Sequence, residues 1–227
     1  MKIAIIPARA KSKRIKNKNL QLFNGKPLIV HAIKSAIESK LFDKVIVSTD
    51  SKKIQSLSKK SGAICSFLRP KNISGDKTIT APVLLHVIKK LKLTQIKYIC
   101  CIYPTAVLMK KNNLKKGLKK LIISNADCCY AITEYDFPIL RSVNYKAKYL
   151  KYNWEKYKNY RSQDLDLAYH DAGQFYWLKY KTFIKHKSLY PNKSAGLIID
   201  RNHVQDIDDY TDFKLAKIKY KLFKKDV

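Results

Sequence analysis

Residues 2–19 read KIAIIPARAKSKRIKNKN. Ile3 to Ile6 is a short apolar run, right for a buried strand. Pro7 has no N–H to give a ladder and should end it. The loop beyond carries Arg9, Lys11, Ser12, Lys13, Arg14, Lys16 and Lys18, with no acidic residue. Pro27 then fits the first turn of a helix, where its missing N–H costs nothing. Buried strand, cationic loop and helix make up a unit of an open α/β sheet, and such sheets bind ligands at the carboxyl ends of their strands. A cationic loop in that place suits a polyphosphate. In a lysine-rich chain the same composition also describes a solvated basic loop.

Outward from this stretch the chain keeps alternating. Ile29, Ile33, Ala36, Ile37 and Leu41 form a helical stripe. Lys44–Ser48 reads as a second buried strand, Asp50 as the cap of the next helix, and Gly62 as that helix's left-handed end. Ala63–Leu68 reads as a third strand, so βαβαβ predicts a doubly wound, mostly parallel, Rossmann-like α/β sheet. Pro82 opens a helix with Val83, Val87, Ile88 and Leu91 inward, and Tyr98–Ile102 is the next strand. A helix lined by Leu114, Leu118 and Leu121 follows, then a strand over Asp127–Thr133. From Phe137 to Leu167 the alternation stops in a Tyr-, Lys- and Asn-rich segment, expected to be a β-rich excursion and not a structureless loop. Tyr169–Leu178 and Ala195–Ile199 resume as strands. A terminal helix from about Thr211 puts Phe213, Ala216, Tyr220 and Phe223 on one face. The whole of 1–227 is expected to be one domain.

With 47 Lys and Arg against 17 Asp and Glu, the chain carries a formal charge of +30. Such an excess suggests nucleic acid or an anionic surface. The lysines are spread over nearly every predicted helix, which favours compositional drift over a dedicated patch. No run reaches the length of a membrane-spanning helix, and the N-terminus enters a strand with no signal-peptide pattern. Five cysteines (65, 100, 101, 128, 129) sit mostly in apolar runs and form no C-x-x-C. They are expected to be reduced packing residues of a cytoplasmic protein. Asp206 and Asp208, in VQDIDD, share one face if that segment is extended. Two hard oxygen donors side by side suit Mg²⁺; the alternative is an acidic turn, with Asp209 capping the last helix.

IPARAKSKRIKNKNL resembles the nucleotide-binding signature of the sugar-acid cytidylyltransferases, the CMP-sialic acid synthetase family. The resemblance implies a nucleotide site at Ala8, Arg9, Ser12, Lys13, Lys18 and Asn19. Ala10 and Lys11 stand where many members have two glycines, which shifts the load from backbone amides to Ser12 and the cations. Leu68-Arg69-Pro70 and Asp76-Lys77-Thr78-Ile79-Thr80 match a second family pattern, implying that Arg69, Thr78 and Thr80 also sit at the nucleotide. In IYPTA, Tyr103 and Thr105 fall where the family faces its sugar. The acidic pair resembles the D-x-D before the last helix that holds the family's metal. Arg161-Ser-Gln-Asp164 followed by YHDAGQFYW resembles the branch that activates pseudaminic acid, implying substrate roles for Arg161, Gln163, His170 and Gln174.

The reaction so implied is attack of a nonulosonic acid on CTP with release of pyrophosphate. Arg9, Lys13, Lys18, Asp206 and Asp208 would carry it with Mg²⁺, in a homodimer built through the excursion. N-acetylneuraminic, legionaminic or 3-deoxy-octulosonic acid are alternative substrates for the same chemistry. A basic nucleic-acid-binding domain is the rival of another class, although no nucleic-acid-binding signature supports it.

Overall fold

A computed structural model describes residues 1–146 and 148–223. Its strands are β1 (Lys2–Pro7), β2 (Leu22–Phe23), β3 (Lys26–Pro27), β4 (Lys44–Ser48), β5 (Tyr98–Ile102), β6 (Cys128–Glu134), β7 (Val143–Lys146), β8 (Tyr149–Tyr152), β9 (Tyr169–Lys179) and β10 (Ser194–Ile198). The helices are α1 (Leu28–Glu38), α2 (Lys52–Lys60), α3 (Thr80–Lys90), α4 (Lys111–Ile123), α5 (Tyr180–His186) and α6 (Tyr210–Phe223). Six strands form one sheet in the order β10-β6-β9-β5-β1-β4. The β1–β4, β1–β5 and β6–β10 pairs are parallel. β9 runs antiparallel between β5 and β6.

Strand alternation explains why this sheet is covered on both faces. Ala4, Ile6, Cys100, Cys129 and Trp177 point into one apolar cluster, with α1 and α4. Ile3, Ile5, Cys101, Cys128 and Tyr176 point into the other, with α3 and α5. Ile3 to Ile6 are fully buried, as a central strand requires. All five cysteines are buried and free, packing as small apolar groups.

Three local expectations are corrected. Ala63–Leu68 meets the sheet only at two isolated bridges, Ile46–Ile64 and Thr49–Leu68, so it is an edge segment and not a laddered strand. Ser51, not Asp50, caps α2, its side chain accepting the Ile54 N–H at 3.3 Å. Pro27 is the cap residue before α1 and pairs with Leu22 across a short hairpin, one step earlier than the first turn. Gly62 does take the left-handed conformation expected of it, at φ +91°. The excursion holds the β7–β8 hairpin and several 3-10 turns; Ala147 within it and the end of the chain from 224 lie outside the described residues.

α4 approaches the sheet closely because Gly117 has no side chain. A Cβ there would stand 2.6 Å from the Phe175 ring and 3.1 Å from that of Trp177. Both rings are fully buried, and the Trp177 indole donates to the Leu114 carbonyl at 2.9 Å. Gly117→Ala gains about 1 kcal/mol of helix propensity but overpacks the core at about 1–3 kcal/mol. Overpacking wins, because a buried ring cannot yield as a flexible chain end does. We expect a lower melting temperature, by roughly 2–6 °C, in thermal denaturation; an unchanged or raised value would contradict this packing.

Candidate active site

The loop after β1 is folded back by groups from three other parts of the chain. The Ala8 N–H continues the ladder to the Ser48 carbonyl at 2.9 Å. The Ala10 N–H then donates to Asp50 Oδ1 at 2.6 Å. Asn19, nearly buried, donates its side-chain amide to the Arg9 carbonyl at 2.9 Å. Ile15 is fully buried in a small apolar cluster that also holds Phe23, Leu108, Ile207 and Phe213. Ile15 and Ile207 therefore act as one anchor. Arg14 flanks the first and Asp206 and Asp208 flank the second, so burying the two isoleucines brings cations and carboxylates together.

The charges meet as expected from that anchor. Arg14 pairs with Asp208 at 2.7 Å, and Lys18 lies 3.8 Å from the same carboxylate. Lys18 also donates to the Ile207 carbonyl at 2.5 Å. Burial lowers the Lys18 pKa, opposed by the charges of Asp208 and Asp206. Asp206 is exposed on one side, yet the protein packed behind it raises its pKa, with Asp208 adding to the effect. The two carboxylates thus stand close enough to repel. Such a pair fits a divalent cation, which relieves that repulsion and takes hard oxygen ligands. Asp209 is used differently: its carboxylate accepts the Thr211 and Asp212 N–H groups at 2.8 and 2.9 Å, capping α6.

A cavity of about 290 Å³ opens at the carboxyl ends of β1 and β5. Arg9, Lys18, Asn19 and Arg69 line it, and so do Thr78, Thr80, Tyr103 and Thr105. Arg69 is 6 % exposed, so it is no surface ion-pair residue. Its guanidinium donates to Ser74 at 3.1 Å and stands 4.0 Å from Asp50. Desolvation lowers its pKa, partly offset by Asp50. Thr80 and Tyr103 join their hydroxyls at 3.2 Å across the cavity wall.

Other residues named from the sequence lie elsewhere. Ala8 is buried at the strand end, and Ser12 and Lys13 are on the loop outside the cavity lining. Gln174 is buried and donates to the His203 carbonyl at 2.7 Å, steadying the segment that leads to Asp206. Arg161 is exposed and paired with Asp164 at 2.7 and 3.1 Å. Gln163 lines a separate hollow beside the excursion, and His170 packs against Tyr135 with ring centres 4.8 Å apart. In this single chain, these three are not brought to the cavity. Conversely, Asp50 and Asp76 have site positions that the sequence reading did not assign. Their signal was present: they are rare carboxylates beside Thr49 and within DKTIT in a strongly basic chain.

Asp76 engages both cations that a polyphosphate would meet. It pairs with Arg9 and, at 2.9 Å, with Lys13. Lys13 first and then Arg9 hold its carboxyl below the ordinary range. A bound polyphosphate must displace it. Asp76→Asn should therefore tighten binding of inorganic triphosphate by about threefold to fivefold at low salt, less as salt screens the exposed charges. Titration calorimetry reads this directly, and unchanged or weaker affinity would contradict the displacement.

Comparisons with known proteins bear on this geometry. The Cytidylyltransferase family model matches residues 3–222. A pseudaminic acid cytidylyltransferase of Campylobacter jejuni subsp. jejuni is 38% identical over 224 residues, covering 97% of this chain and 96% of its own. A Helicobacter pylori protein named pseudaminic acid cytidylyltransferase and UDP-2,4-diacetamido-2,4,6-trideoxy-beta-L-altropyranose hydrolase is 33% identical over 98% of this chain and 43% of its own. In fold, the structure of a CMP:2-keto-3-deoxy-manno-octonic acid synthetase complexed with CTP superposes with a TM-score of 0.70 at 14% identity, covering 99% of both chains. Strand order, cationic loop and nearly full-length match lead to one conclusion: this chain belongs to the cytidylyltransferase family.

Proposed function

We propose that this enzyme joins CTP to a nonulosonic acid, most closely pseudaminic acid, giving the CMP-sugar and pyrophosphate, for surface glycan or flagellin glycosylation. The observation that carries the reading is the convergence of Arg9, Lys18, Asn19, Arg69, Thr78 and Thr80 on one cavity. The choice of acid follows the names of the Campylobacter and Helicobacter relatives. The second name also contains a diacetamido-trideoxy sugar, so a diacetamido acid is the substrate class proposed here.

In the reaction the anomeric hydroxyl oxygen forms a bond to the α-phosphorus. The bond from that phosphorus to the bridging oxygen breaks, pyrophosphate departs with its electron pair, and the hydroxyl proton leaves to water. Little covalent chemistry falls to the protein, which must position two anions and stabilise charge. Arg9, Lys13 and Lys18 neutralise the triphosphate once Asp76 gives way. Arg69, Thr78 and Thr80 hold the nucleoside end, with Ser12 adding a hydroxyl at the loop. Tyr103 and Thr105 form the wall toward the acid. Asp206 and Asp208 would hold Mg²⁺, which, when bound, supplies Lewis-acid polarisation of a phosphate oxygen. Arg14 and Lys18, already paired with Asp208, keep that carboxylate oriented toward the loop.

Two further features belong to the proposal. Phe137, Tyr145, Tyr149 and Leu150 are strongly exposed on the excursion. Apolar surface of that kind marks an interface, and a second copy of the chain is the partner we propose for it. The five free thiols support a reducing compartment, the cytoplasm. No helix among the described residues is long and apolar enough to cross a membrane.

Losing a preorganised charged contact costs a few kcal/mol of barrier. Asp208→Ala should therefore cut pyrophosphate release by at least about a hundredfold while the protein stays folded; near-normal turnover would remove the role given to this carboxylate. Asp206 gives a second test, read by melting curves. Its raised pKa means that the folded state holds the proton more tightly than the unfolded chain. Stability from this group is thus full at low pH and lost as pH rises through the folded value. Asp206→Asn should melt higher than the unmodified protein at neutral pH without metal, by less than about 1 kcal/mol because water screens the exposed side. The gain should vanish in acid, and Mg²⁺ should stabilise only the unmodified protein. Equal stabilisation of both by Mg²⁺ would contradict the assignment.

A further inference from the structure

Four tyrosines gather on the sheet face covered by α3 and α5. Tyr103, at the end of β5, contacts Tyr176 of β9 with ring centres 5.1 Å apart. Tyr130 of β6 stacks on Tyr176 at 5.8 Å, and Tyr190, after α5, packs edge-on against both. One carboxylate organises them. Asp171 Oδ2 accepts the Tyr176 hydroxyl at 2.8 Å and the Tyr190 hydroxyl at 2.9 Å. Its Oδ1 accepts the Gly173 N–H at 2.8 Å.

A bulge puts Asp171 there. Tyr130 of β6 faces Tyr176, but Ile132, two residues on, faces Asp171, five residues back. β9 therefore carries three residues more than β6 across the irregularity. An odd excess moves the strand's side chains to the other face, so Asp171 shares the face of Tyr176. Gly173 absorbs the bend at φ +62°.

The polarity of the hydrogen bonds follows. A carboxylate only accepts, so Tyr176 and Tyr190 both spend their protons inward. Tyr103 packs its ring on Tyr176 and shares its hydroxyl with Thr80 Oγ1 at 3.2 Å. Burial, reinforced by neighbouring negative charge, raises the pKa of all three phenols and keeps them protonated. Tyr190, its proton given to Asp171, therefore has only lone pairs to offer the hollow of about 360 Å³ that it lines together with Tyr103. That hollow adjoins the nucleotide cavity, with Thr80 and Tyr103 in the wall of both.

We infer that Asp171 is a positioning and specificity-determining residue: by drawing the tyrosine protons inward, it makes this wall an acceptor surface that selects a sugar acid bearing amide N–H donors. The inference rests on the proposed reaction, in which the acid lies beside Tyr103. An amide N–H can only donate, so it depends on the acceptor polarity; a hydroxyl in its place donates or accepts and does not. Asp171→Asn puts an NH₂ group into the network, which turns at least one tyrosine proton outward.

The test measures KM for CTP and for two acids: pseudaminic acid, and its analogue with both acetamido groups replaced by hydroxyls. Asp171→Asn should raise KM for the diacetamido acid about tenfold. KM for CTP should stay within about twofold and that for the hydroxylated analogue within about threefold, so the preference between acids collapses. Tyr190→Phe keeps the ring packing, removes the accepting oxygen and should raise KM for both acids about fivefold with KM for CTP within about twofold, which covers the event that Asp171→Asn does not fold. Unchanged KM for both acids would overturn the inference. So would a rise shared equally by both acids and CTP, which marks a merely structural residue. No turnover of either acid by the unmodified protein would instead overturn the reaction itself, and the inference with it.

Discussion

The loop after β1 holds Arg9, Lys11, Lys13, Arg14, Lys16 and Lys18 within ten residues, in a chain with a net charge of +30. Such a loop repels itself unless anionic groups reach it. Three do, from separate parts of the chain. Asp50, after β4, takes the Ala10 N–H; Asp76, before α3, takes Arg9 and Lys13; Asp208, before α6, takes Arg14 and Lys18. The sheet order makes this possible, because β1 lies between β4 and β5 and delivers its loop among the segments that carry these carboxylates. Ile15 and Ile207 add the apolar part of the same closure. Scarce acidic residues are thus spent where the cations must be held without being neutralised beyond recovery.

This arrangement has a chemical consequence. The Asp76 pairs are largely exposed, and pairs of that kind contribute little to stability and exchange easily. The Arg69 guanidinium is different: it is buried, and its partner Asp50 is 4.0 Å away. One side of the cavity therefore offers cations that can be transferred to a phosphate. The other offers a fixed, desolvated one, whose interactions are stronger for lack of water. A site that must bind a triphosphate, let pyrophosphate depart as the acid attacks the α-phosphorus, and hold the nucleoside end throughout needs both kinds.

Much of this was legible in the residues. Periodicity located β1, β4, β5 and the helices α1 to α4 and α6 because each has one apolar face or run to bury, whereas the short α5, with only Phe183 buried, was not legible. The cationic loop, Arg69 and the threonines do meet in one cavity. Ala63–Leu68 reads as a strand since β-propensity reports side-chain fit to a pleated surface, not whether a neighbouring edge is free along its length. Asp50 and Ser51 are both good caps; the charge of Asp50 is drawn to the loop, and the hydroxyl takes the helix. The antiparallel placement of β9 was not legible, for alternation carries no strand direction. Nor was Asp171: only the bulge at Gly173 brings it beside Tyr176, and three extra residues in a strand leave no mark on its apolar pattern. Arg161 and Gln163 lie in the excursion, where a second copy is proposed to pack, and His170 follows it at the start of β9.

The most direct measurement of the central claim is pyrophosphate release by the purified protein given CTP, Mg²⁺ and pseudaminic acid, with and without chelator. The account predicts release that requires the acid and stops with the chelator. Folded protein that releases no pyrophosphate with any nonulosonic acid, yet binds nucleic acid in a steeply salt-sensitive way, would contradict it.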